Sequence, residues 1–306
     1  MTKGAAMTQS LPGAPGLQRG AKRPPPRWAG LVQDAVTNVG VKVIPWIPAP
    51  AKRALFRGRS VIIDGNTLDP TLQLMLSGMR MTGSQGLCVD RDVAASRAQM
   101  HDMLVGLPGP QIHVGVNNIS LPGPAGQIAA RHYRPVSGEA TDLLVFYHGG
   151  GWVLGDLDTA DALCRLTCRD AGIQVLSIDY RLAPEHPAPA AIEDAYAAFT
   201  WACEHAGELG ATPGRVAVGG DSAGGNLAAA VSQQARDEGG PVPVLQWLIY
   251  PRTDFTAQTR SLTLFAQGFL LTKHDIDWFN EQYLEGTGVD PADPRVSPLL
   301  AESLSG

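Results

Sequence analysis

Arg215-Val216-Ala217-Val218-Gly219-Gly220-Asp221-Ser222-Ala223-Gly224-Gly225-Asn226, running on into Leu227-Ala228-Ala229-Ala230-Val231, decides how the rest of this chain is read. An apolar run enters glycines and leaves in residues of helix-forming composition, which reads as strand, sharp turn, helix. Gly220 before Ser222 and Gly224 after it leave room for a backbone bend that a side chain at either place would block. Such a bend lifts the Ser222 hydroxyl to the top of a sheet and aims a helix N-terminus at it. Negative charge growing beside that hydroxyl would meet unbonded N–H groups and the positive end of a helix dipole.

Glycine-x-serine-x-glycine alone also occurs in ordinary loops. A second cluster, Leu143-Leu144-Val145-Phe146-Tyr147-His148-Gly149-Gly150-Gly151-Trp152, gives it weight. There an apolar strand runs straight into three glycines, and consecutive residues without side chains expose the row of N–H groups from which an oxyanion hole is made. A proline-studded stretch, Asp179-Tyr180-Arg181-Leu182-Ala183-Pro184-Glu185-His186-Pro187, lies between the two clusters.

These three motifs, in this order, resemble the hormone-sensitive-lipase-like branch of the α/β hydrolases, the bacterial type IV carboxylesterases. The resemblance runs from about Asp64 to the last residue. It implies an α/β fold class with a mostly parallel sheet, helices on both faces and an N-terminal helical cap. It also implies hydrolysis of short- to medium-chain esters through an acyl-enzyme on Ser222. The oxyanion would be held by the N–H groups of Gly150, Gly151 and Ala223, with Gly149 letting the loop approach. His148, Gly220, Asp221 and Gly224 then serve as motif scaffold. His148 has the wrong place for a general base, because the chain order in this fold is Ser, acid, His. Asp221 adjoins the nucleophile, and neighbours on that turn point apart, so it is not the acid partner.

The same resemblance implies a further strand ending in an acid and another segment carrying the His, following a stretch like Pro294 to Gly306. On that reading the chain is C-terminally truncated and the last sheet strands are missing. His274 is the one histidine after Ser222. Asp254 and His274 stand in the right order to act as substitute partners, yet Thr272 to Asp277 reads as a capped helix start whose polar residues face water. Without a base the chain is expected to be nearly inert. Val244 to Tyr250 would form a bare apolar edge prone to self-association. A rival reading makes the chain a non-catalytic small-molecule binding protein on a hydrolase scaffold.

Composition narrows the field. A net charge of −5 over 306 residues provides no basic field for nucleic acid. Cys88, Cys164, Cys168 and Cys203 have no metal-ligand spacing and read as free thiols, and no cofactor or metal site is expected. No stretch has the length and apolarity of a membrane span or the pattern of a secretory signal, so the cytoplasm is the default compartment.

Three regions are expected along the chain: a disordered tail over residues 1–27, a helical cap region over 28–106 and the hydrolase core over 107–306. Trp28, Leu31, Val32, Ala35, Val36 and Val39 share one helical face. For residues 28–47 two readings stay open, packing on the enzyme body or peripheral contact with a lipid surface. Leu72, Met75, Leu76 and Met79 predict a helix stripe, and a second cap helix is expected from Asp92 to Leu104. Alternation of Ile112, Val114 and Val116, and again of Ile128, Ala130 and His132, predicts a hairpin that opens the sheet. His186 reads as a turn residue.

Overall fold

A computed structural model describes residues 47–81, 86–105 and 111–305 of the chain. The expected tail, the helix expected from Trp28 and nearly all of the lipid-contact candidate 28–47 lie outside the described residues.

The first described elements are α1 (Ala49–Leu55), a small hairpin of β1 (Ile62–Ile63) and β2 (Asn66–Thr67), α2 (Pro70–Met81) and α3 (Val93–Val105). The sheet comprises β3 (Gly115–Gly123), β4 (Gly126–Arg134), β5 (Thr141–Tyr147), β6 (Gln174–Asp179), β7 (Ala211–Asp221) and β8 (Gln246–Ile249). Their spatial order is β3-β4-β6-β5-β7-β8. From β6 to β8 all neighbours run parallel, while β4 lies antiparallel to β3 and β6. Crossovers are made by α4 (Asp161–Ala171), α5 (Ala190–Glu204) and α6 (Ala223–Asp237), and α7 (Arg260–Leu264) and α8 (Lys273–Leu284) follow β8. This is the mostly parallel, doubly covered α/β sheet that the sequence predicts.

The central strand shows why its sequence is apolar throughout. Leu143, Val145 and Tyr147 of β5 face α5 and α6 in the main core, whereas Leu144 and Phe146 face Cys164 and Cys168 of α4 in a second cluster. A strand covered on both faces needs apolar residues at every position, and a half-solvated one does not. Cys164 and Cys168 are buried free thiols one helical turn apart.

Three local expectations are corrected. The hairpin's first strand begins at Gly115, and its buried residue is Leu121, paired with Ile128. Ile112 and Val114 precede the strand and Val116 is exposed. In α2 the buried residues are Gln73 and Leu76, while Leu72 and Met75 point outward. Gln73 is drawn inward because its amide bonds the backbone of Arg59 and Val61. The α8 start is capped by Thr272 and Asp275 as a reciprocal box, but both side chains are buried rather than solvated. The Asp275 carboxylate also accepts the N–H groups of Leu87 (3.1 Å) and Cys88 (2.7 Å), tying the chain ahead of α3 to the start of α8. Arg97 of α3 completes the clamp, donating to the carbonyls of Val153 and Ala183 and forming a two-pronged pair with Glu185.

Candidate active site

β7 ends at Asp221 and α6 begins at Ala223, so Ser222 alone makes the turn. Its backbone sits at φ 53°, ψ −113°, a region L-residues rarely occupy and one that surrounding structure must enforce. The enforcement is visible on both sides. A Cβ at Gly220 would overlap the backbone of Tyr147, and one at Gly224 would overlap the Tyr147 carbonyl and come within 2.7 Å of that of His148. The Ser222 N–H bonds the Ile249 carbonyl of β8 (2.9 Å), and the Asn226 N–H bonds the Ser222 carbonyl (3.1 Å). The Asn226 side chain, buried on an otherwise alanine-rich helix, donates to the carbonyls of Arg252 and Val296 at 2.7 Å each. That pins the segments after β8 against the start of α6.

The glycine loop lies against this turn. Gly150 and Gly151 have φ of 122° and 62°, values open to glycine and costly for other residues. Gly150 closes a turn by accepting the N–H groups of Val153 (3.2 Å) and Leu154 (2.8 Å). A Cβ on Gly151 would overlap the Phe279 ring of α8. Trp152 follows at φ 62°, stacked on Tyr283 with centroids 4.6 Å apart and beside Phe255 at 5.1 Å. Among the described residues, nothing accepts the N–H of Gly150, Gly151 or Ala223. Three unbonded donors thus stand on the glycine loop and at the first residue of α6.

His148 is fully enclosed. Its Nδ1–H donates to the Gly149 carbonyl (2.7 Å) and its ring stacks on Tyr180. The Tyr180 hydroxyl donates to the His148 carbonyl at 2.6 Å. Burial pushes the imidazole pKa below its ordinary value, so the ring is neutral and shapes the loop from beneath. Asp221 turns away from the nucleophile, and its Oδ1 accepts the Gly149 N–H at 2.8 Å.

Asp254 and His274 are not brought to Ser222. The Asp254 carboxylate is taken up in its own turn by Thr256 and Ala257, and hydrogen bonds from Thr256 hold its pKa below the usual carboxylate range. His274 lies exposed on the first turn of α8. All seven histidines of the chain fall in the described residues, and none hydrogen-bonds the Ser222 hydroxyl. His186 is an exposed turn residue whose N–H bonds the Leu182 carbonyl.

Comparison with known proteins turns this geometry into a family. The model of the α/β hydrolase fold family matches residues 144–306. The carboxylic ester hydrolase LipN of Mycobacterium tuberculosis is 73% identical over 98% of this chain and 81% of its own length. The chain belongs to the α/β-hydrolase family, in its hormone-sensitive-lipase-like esterase branch. The esterase LipI of the same organism is 40% identical over 78% of this chain and 73% of its own. Among solved structures, an ester hydrolase from the metagenome of Lake Arreo, complexed with a bipyridine phosphonate derivative, superposes with a TM-score of 0.71 at 43% identity, covering 77% of this chain and 75% of that one. A hyperthermophilic esterase from Pyrobaculum calidifontis gives a TM-score of 0.69 at 40% identity, over 77% and 75% of the two chains.

The sequence did not disclose how the motifs are joined. Asp221, Tyr180 and Asn226 link segments far apart in the chain, and only for Asn226 was there a signal, a polar residue amid Leu227-Ala228-Ala229-Ala230.

Proposed function

We propose that this α/β hydrolase cleaves carboxylic esters through Ser222. The enzyme is an ester hydrolase. In the proposed reaction Ser222 Oγ attacks the ester carbonyl, the C–O bond to the alcohol breaks, and water releases the acid from the acyl-enzyme. The N–H groups of Gly150, Gly151 and Ala223 take the developing oxyanion, while Gly149, Gly220 and Gly224 make the close approach. One observation supports this reading: the strained Ser222 turn is tied through Asp221 to the Gly149 N–H at the head of a loop whose Gly150 and Gly151 N–H groups are unbonded among the described residues. An intact elbow has no use in a passive binder, since such strain persists where function needs it.

Short- to medium-chain esters are the proposed substrates, as the family resemblance implies. Asp254 and His274 are set aside as proton-transfer partners. The regions proposed are cap over residues 28–106 and core over 107–306. Among the described residues no helix is long and apolar enough to cross a membrane. An acidic chain with free thiols fits a cytoplasmic enzyme, and residues 28–47 remain its proposed lipid contact. Self-association through β8 is favoured by one observation: among the described residues the strand is paired on one side only, with Leu248 and Tyr250 exposed.

Hydrolysis of p-nitrophenyl acetate, butyrate and longer esters, with Ser222→Ala as the blank, tests the reading. Release that depends on Ser222 and declines with acyl length supports it. Release unaffected by Ser222→Ala removes it.

A further inference from the structure

Asp221 is the covalent neighbour of Ser222, yet its side chain bonds a residue 72 positions away. The contact is close as well as polar: a Cβ on Gly149 would overlap the Asp221 carboxylate and stand 3.0 Å from its backbone oxygen. Beyond the β5–β7 ladder, which ends at Tyr147 and Gly220, this is the one hydrogen bond among the described residues that joins Gly149–Gly151 to the serine turn. The loop's other bonds run within itself, from Leu154 to Gly150 and from His148 to Gly149, or from Ala183 to Trp152. They give the loop its shape without fixing its distance from Ser222.

The acceptor is an aspartate, and that choice is costly. Among the described residues no cation pairs with it. The titratable groups that feel its charge are Tyr180, Tyr250 and Cys164, none of which is a cation. Burial pushes the carboxyl pKa above the ordinary aspartate range, against the pull of the Gly149 N–H and the residue's own N–H. A carboxylate held without a counter-ion destabilises the fold, and groups kept in that condition cluster at functional sites. The compensation is strength, because a bond to a charged acceptor is roughly twice as strong as a neutral one.

We propose that Asp221 is a positioning residue: by accepting the Gly149 N–H, its carboxylate holds the glycine loop in register with Ser222, so that the Gly150 and Gly151 donors face the oxygen of the attacked group. This rests on the assignment of Ser222 and the oxyanion donors above. Asp221 touches no reacting atom. Its effect is on the maximal rate and not on binding, because a misplacement of about 1 Å at such a site costs on the order of 100-fold in rate.

The test uses a fluorophosphonate, whose phosphonyl oxygen takes the place of the ester oxygen as Oγ displaces fluoride, with free imidazole supplied to accept the proton. Labelling of Ser222 in the full chain is followed by mass spectrometry at several probe concentrations. This separates the maximal rate from half-saturation. Asp221→Ala is expected to lower the maximal rate about 100-fold with half-saturation changed less than about threefold. Asp221→Asn, which keeps an acceptor oxygen without the charge, is expected to recover to within about tenfold of wild type. With rates divided by the free-base fraction of imidazole, the wild-type rate is expected to fall further on the acid side, where Asp221 takes its proton, and Asp221→Asn to lose that further fall. A folded Asp221→Ala with an unchanged rate overturns the proposal. Should Asp221→Ala not fold, an Asp221→Asn that matches wild type in both rate and acid limb does the same. Ser222→Ala runs in parallel: labelling that survives it overturns the serine assignment and the tether together, whereas labelling abolished by it and untouched at Asp221 removes the tether alone.

Discussion

Two margins of the same strand pair behave differently. Where β5 and β7 end, Gly149, Gly220 and Gly224 let backbones approach so closely that a methyl group would collide at each. One strand further on, β8 has no partner on its far side among the described residues, and Leu245, Leu248 and Tyr250 stand exposed at 56%, 38% and 73%. The first margin carries the proposed oxyanion donors. The second contributes no acid or base to Ser222 from the described residues. In this fold the electrophilic half of the chemistry is therefore made of backbone and tight packing, independently of the half that moves the proton.

The largest expected effect falls on the serine turn. Because Ser222 alone makes the turn between β7 and α6, Ser222→Ala is expected to lower turnover of p-nitrophenyl butyrate on the order of a millionfold, measured beside the unchanged chain.

Gly224→Ala strikes the packed margin itself. Its Cβ would meet the carbonyls of Tyr147 and His148, backbone atoms that cannot rotate away, so a loss of about 3 kcal/mol or more is expected in urea unfolding. A cost under about 1 kcal/mol would mean that the margin yields more easily than its geometry implies.

The cap latch is next. Asp275→Ala leaves the N–H groups of Leu87, Cys88 and Thr272 without their acceptor, and a loss of about 2 kcal/mol is expected. Proteolysis between Met81 and Val93 should quicken with it, whereas a change at the solvated His274 should leave both unaltered. The smallest effect falls on the exposed margin. Leu248→Lys with Tyr250→Lys is expected to weaken self-association about tenfold or more without altering Ser222 labelling, read by light scattering across a concentration series.

The two margins were unequally legible in the sequence. Gly149-Gly150-Gly151 and Gly220-Asp221-Ser222-Ala223-Gly224 could be read because each follows an apolar strand and the two occur together in one order. The β8 edge was expected from the family resemblance and not from the residues themselves. What escaped was partnership. Asp221 was excluded as an acid partner on local geometry, but its bond to Gly149 depends on how β5 and β7 are placed in space. Asp275 was read as solvated for the same reason, since its donors at Leu87 and Cys88 lie far back in the chain. Periodicity also misled where tertiary contacts intervened: Gln73 displaced Leu72 and Met75 from the inner face of α2 by bonding Arg59 and Val61.

Covalent labelling by a fluorophosphonate tests the central claim most directly. Folded and urea-unfolded chain are treated alike, and the modified peptide is identified. The account predicts that Ser222 is modified, far faster in the folded chain than in the unfolded one, and that no other serine is. Equal rates in the two states, or modification elsewhere, would contradict it.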